Sequence, residues 1–158
     1  MKKALLCVLI ACGCVFGLFA KDTTLQKGKV DIKSLQKLIT SDYVTSSEID
    51  DTGEIFLECD GIKGFIAINS KLNLVNFYSI WASSSDIKEK DAVALTNQWN
   101  SEKVFTCAYY SEGKFFLEYY MPYEGGISST NFNSALEMFF DLADIYWDFL
   151  SDAKALKN

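Results

Sequence analysis

The chain has 158 residues, 49% of them hydrophobic and 15% aromatic, and a formal charge of −6. That length and composition fit one domain with its own core rather than a disordered tail. The sequence contains no His and no Arg, which excludes His-dependent serine or cysteine catalysis, His-based metal sites and the guanidinium phosphate fork; the acidic balance also opposes nucleic acid as a partner.

The chain opens with "MKKALLCVLIACGCVFGLFAKD". Lys2 and Lys3 precede an apolar run from Ala4 to Ala20, which ends on a small residue. This is the layout of a signal peptide over residues 1–20, cut between Ala20 and Lys21, and it predicts a periplasmic or secreted protein. Loss of Lys2 and Lys3 leaves 13 lysines against 21 carboxylates, a charge of −8. Two alternatives stay open. Leu9-Ile10-Ala11-Cys12 resembles a lipobox, which would make the protein a membrane-anchored lipoprotein lipidated at Cys12. An uncleaved apolar run could also serve as a short anchor. After the cut only Cys59 and Cys107 remain. An even number in an exported chain makes them a candidate disulfide, with two buried thiols as the plainer alternative.

Residues 21–30 read as a linker, and 31–158 as a single α+β domain. "DIKSLQKLI" places Ile32, Leu35, Leu38 and Ile39 at helical spacing behind Asp31 as N-cap. "YVTSSEID" and "EIFLECD" form a hairpin around "DDTGE", and "GFIAIN" pairs with "LNLVNFYSIWA". In "DIKEKDAVALTNQWN", Asp86 and Glu89 suggest a capping box, and Ala92, Leu95 and Trp99 form one stripe. Asn100 is placed just past the end of this helix, where Asn tolerates a left-handed backbone. A hairpin turning at "SEGK" follows. A long C-terminal helix, capped by Ser128 or Ser129, closes the chain. The expected order is α-ββββ-α-ββ-α with a largely antiparallel sheet.

Asn97-x-Trp99-Asn100, the hairpin "AYYSEGKFFLEYYMPYEGGIS" and the aromatic closing helix together resemble the YbjN family, sometimes labelled sensory-transduction-regulator-like. The resemblance covers about residues 31–150. It implies a fold similar to type III secretion chaperones, which are α+β dimers that bind partner polypeptides, and it attaches no catalytic residues. The leader peptide departs from that family's common pattern.

The remaining motifs have plain readings. Asp51-Thr52-Gly53 matches the aspartic-protease tripeptide but occurs once, inside a hairpin turn where Asp and Gly belong. Asp50, Asp51 and Glu54 do not have the spacing of a calcium loop. On the closing helix, Phe132, Leu136, Phe139, Ala143, Tyr146 and Leu150 form the core face, and Glu137, Asp141, Asp144, Asp148 and Asp152 an acidic stripe. Met138, Ile145, Phe140 and Trp147 widen the apolar arc beyond what one sheet face needs. They are the candidate partner-binding residues, for a homodimer or another polypeptide, with a helix sunk deep between sheet and loops as the plainer alternative. Of the paired tyrosines Tyr109–Tyr110 and Tyr119–Tyr120, half must leave the core; edge protection is the expected role. The sequence therefore predicts an exported, non-enzymatic domain that needs no cofactor or metal and has a chaperone-like or regulatory, protein-binding role. A small-ligand or peptide module using a sheet–helix pocket is the alternative.

Overall fold

The computed structural model describes residues 22–40 and 44–157. The leader with its cleavage site Ala20–Lys21, and Cys12, lie outside the described residues. The strands are β1 (Thr24–Leu25), β2 (Val44–Ile49), β3 (Ile55–Cys59), β4 (Ile62–Asn69), β5 (Leu74–Ala82), β6 (Cys107–Ser111), β7 (Lys114–Pro122) and β8 (Ile127–Ser128). The helices are α1 (Ile32–Gln36), α2 (Glu89–Glu102) and α3 (Ser129–Asp152). The expected order of the main elements holds, within an α+β fold whose sheets are antiparallel.

Six strands form one sheet in the order β2-β3-β4-β5-β7-β6. The β3–β4 and β6–β7 hairpins turn at Asp60–Gly61 and Glu112–Gly113, where all four residues have positive φ. Such two-residue turns match the twist of the strands they join. The ladder between β5 and β7 runs from Leu74↔Pro122 to Ala82↔Lys114 and is the longest in the sheet.

α3 crosses one face of the sheet and buries Phe132, Leu136, Phe139, Ala143, Tyr146 and Leu150, the stripe its helical periodicity predicts. Phe77 of β5 sits under it, with ring centroids 5.7 Å from Phe132 and 6.1 Å from Phe139. Ser128 caps α3 by accepting from Asn131 N. Asp31 caps α1 by accepting from Ser34 N at 2.8 Å.

Three local expectations are corrected. The Asp86–Glu89 capping box does not form: α2 begins at Glu89 behind Lys88, without a side-chain cap, and Asp86 N donates to Ser84 Oγ instead. Part of the expected linker is docked, since Thr24–Leu25 pairs with Ile127–Ser128. Asp22 there accepts from Thr130 N and Ser129 Oγ at the start of α3. Asn100 does not end α2, which continues to Glu102. Its amide donates to Ala108 O and accepts from Ala108 N, both at 2.8 Å. Ala108 lies on β6, the outermost strand on that side, so one side chain stands in for a missing neighbour strand and closes that edge locally.

Candidate functional site

Strand alternation divides the sheet's residues between two faces. Ile55, Leu57, Ile66, Phe77, Phe115 and Leu117 point to the helices and are fully buried. The opposite face of a one-sided antiparallel sheet is normally polar. Here rows of aromatic rings run among its polar residues. Register aligns Glu48↔Phe56↔Phe65↔Tyr78↔Glu118↔Cys107 across all six strands, a span of about 24 Å at ~4.8 Å per strand. Phe56 and Phe65 have centroids 5.4 Å apart, and Phe65 stacks on Tyr78 at 5.1 Å. A second row runs Ile80↔Phe116↔Tyr109, with Phe116 and Tyr109 stacked at 4.6 Å and nearly parallel. No described helix packs on this face: α3 and α2 both lie on the other side, where Trp99 of α2 meets Tyr146 and Phe149 of α3.

Two carboxylates are built into the rows. Glu118 accepts from Tyr109 on one oxygen at 3.1 Å and from Tyr120 on the other. Glu54 accepts from Tyr78. A carboxylate that accepts a phenol proton holds that proton in place. Burial, followed by the Glu118 charge, pushes the Tyr109 hydroxyl from 10.0 up to about 12. The bond to Glu118, followed by burial, raises Tyr120. Burial, followed by Glu54, raises Tyr78. The folded chain thus keeps protons that the unfolded chain releases near pH 10, so stability is complete below pH 10 and declines above it. Melting temperatures measured from pH 8 to 12 should be level to about pH 10 and then fall; a flat profile to pH 12 would contradict these bonds.

The residues singled out by sequence fall in several places. Trp147 and Ile145 are exposed on α3, at 42% and 46%. Trp147 lies between two shallow grooves of about 340 and 320 Å³, both also lined by Trp81. Met138 is half-buried. Phe140 is 5% exposed and so is no surface anchor. Its ring presses on β4 at Gly64, where an added Cβ would stand 2.8 Å from Phe140 Cζ. Cys59 and Cys107 are free thiols. They sit on opposite faces four strands apart, about 19 Å by strand spacing, far beyond the ~7 Å Cα limit for a disulfide. A groove of about 260 Å³ between α3 and the β3–β4 hairpin has an apolar floor of Val44, Ile62, Leu136 and Phe140, with Glu137, Asp141 and Asp144 at its rim. No tyrosine lines it, so it differs from the Tyr-lined pocket of the ligand-binding alternative. The Asp51-Thr52-Gly53 turn is held by Asp50, which accepts from Thr52 N, Thr52 Oγ1 and Glu54 N. Among the described residues no cluster of three His, Cys, Asp or Glu could hold a metal, and no helix is long and apolar enough to cross a membrane.

Comparison with known proteins decides the family. The YbjN family model, described as "Putative bacterial sensory transduction regulator", matches residues 31–151. The chain belongs to the YbjN family. The crystal structure of YbjN from E. coli superposes with a TM-score of 0.70 at 12% identity, covering 85% of this chain and 99% of that one. The HopA1–SchA chaperone–effector complex contains a chain that matches with a TM-score of 0.52 at 10% identity, covering 76% of this chain and 92% of that one. No curated protein matches the sequence. The family description points to a regulatory role, and the two structures show the fold.

The aromatic face was missed in the sequence, although its signal was present. Phe56, Phe65, Tyr78 and Phe116 each sit one residue away from a buried position, which puts them outward on consecutive neighbouring strands.

Proposed function

We propose that this YbjN-family protein is an exported, non-enzymatic domain of chaperone-like or regulatory kind, which binds an extended polypeptide on the open face of its six-stranded sheet. The observation that carries this reading is the row of half-buried rings across that face, with no described helix over it. Cross-strand ring pairs stabilise a solvated sheet by only about 0.2–1 kcal/mol each, and a docked segment buries their remaining apolar area at about 25 cal/mol per Å². The matching chain of similar fold comes from a chaperone–effector complex, which supports a polypeptide as the partner class. Export rests on the leader alone. A second reading keeps the α3 flank around Ile145 and Trp147 as the contact, with a second copy or another chain, and is favoured by the exposure of those two side chains.

An array of immobilised unstructured peptides separates the readings. The wild-type protein should be retained on a subset of them, and Phe65→Ser should lose that retention while keeping its fold by circular dichroism. Loss with Trp147→Ser but not with Phe65→Ser would move the site to α3. No retention of the wild type on any peptide would sink the proposal.

A further inference from the structure

The chemistry of the open face narrows the partner, on the premise that this face binds polypeptide. Four carboxylates, Glu48, Glu54, Glu58 and Glu118, belong to it by register or by bonding, against two cations, Lys63 and Lys114. The whole chain is acidic in the same sense, at −6, so its field favours a cationic guest. The placement is more specific than the charge. Glu118 is directly opposite Tyr78 on one side and Cys107 on the other, and two residues along on the same face Phe116 stacks on Tyr109. Glu54 is bonded to Tyr78, the last ring of the Phe56–Phe65–Tyr78 row. Each carboxylate therefore lies beside an aromatic surface and is steadied by tyrosine hydroxyls. Its remaining lone pairs are free to accept.

A planar guanidinium satisfies both parts at once. It stacks flat on a ring and forks onto a carboxylate, whereas an ammonium offers a point charge without the flat face. We infer that the open sheet face docks an extended polypeptide segment carrying arginines, with guanidinium groups seated on the Tyr78–Glu54 and Phe116–Glu118 pairs. A second copy of this chain cannot be that guest, because the sequence contains no Arg.

The test uses three peptides with the same alternating Ser and Leu framework, bearing three Arg, three Lys or three Gln at every second position. Each is titrated into the protein by calorimetry at 50 and 200 mM salt. The Arg peptide should bind tightest, with the Gln peptide roughly tenfold weaker or more, since it lacks both the stacking cation and the charge-assisted bonds. Glu54→Gln together with Glu118→Gln should erase the Arg preference and leave the protein folded, because Gln still accepts from one tyrosine hydroxyl and its NH2 can donate to the oxygen of the other. Equal binding of the Arg and Gln peptides would overturn the inference and leave the polypeptide-binding reading standing; binding of none of the three would remove both. Equal binding of Arg and Lys, or an Arg preference that survives the double substitution, would overturn it by pointing to general attraction, such as the acidic stripe of α3. A face-to-face dimer in light scattering that the Arg peptide fails to dissociate would also overturn it.

Discussion

Trp99→Ala should cost the protein about 3–5 kcal/mol, the range for truncating a large buried aromatic. Trp99 is fully buried at the end of α2. Its ring lies 4.7 Å from Tyr146 and 5.9 Å from Phe149, and its indole N–H donates to Thr106 Oγ1 at 3.1 Å. The substitution opens a cavity between α2 and α3 and leaves the Thr106 hydroxyl without its donor. Because Asn100, the next residue, holds the edge of β6, a shift in α2 also loosens the clamp on Ala108. Against a total stability of about 5–15 kcal/mol, that loss is large. Urea unfolding followed by circular dichroism should show a much lower midpoint with an unchanged slope. Trp99→Phe should fall in between, since it keeps most of the packing and loses the hydrogen bond.

Phe140→Ala should behave as a core substitution, losing about 3–5 kcal/mol, while Trp147→Ala stays within about 0.5 kcal/mol. The two residues look alike in the sequence, as aromatics on the flank of one helix, yet the sheet treats them differently. Gly64 has no side chain, and the Phe140 ring occupies the space above β4 that a Cβ would take. Just beyond the last β4–β5 pair, Phe65↔Tyr78, the Ser79 hydroxyl donates to Lys63 O at 2.8 Å and ties the strands together beside this ring. Gly64→Ala should therefore be destabilising, by about 1–3 kcal/mol of overpacking. Much of that penalty should disappear when Phe140 is also changed to Leu, a coupling a double-mutant cycle measures. Equal losses for Phe140→Ala and Trp147→Ala would contradict this packing.

These cases show what a linear reading captures. The period of α3 was legible: every residue of its expected core stripe is buried, and every residue of its acidic stripe is exposed. The hairpins were legible too, because their turns carry residues that tolerate positive φ. What stayed hidden depends on strands distant in sequence. Phe140 is buried because of a glycine on β4. Cys59 and Cys107 are kept apart by β4, β5 and β7, which lie between their strands in the sheet. Asn100 looked like a helix stop because its true partner, the free edge of β6, exists only once the sheet is assembled. The open face was hidden for a related reason. Alternation placed Ile55, Leu57 and Cys59 together and left Phe56 on the other side, but whether anything covers that side is settled by which face α2 and α3 choose. Both choose the same one.

The most direct test is to map the aromatic side-chain resonances while the Arg peptide is titrated into the protein. Shifts concentrated on Phe56, Phe65, Tyr78, Tyr109 and Phe116, with Trp147 unmoved, are the predicted result. Shifts confined to Trp147 and its neighbours on α3, with the open-face rings unchanged, would contradict it.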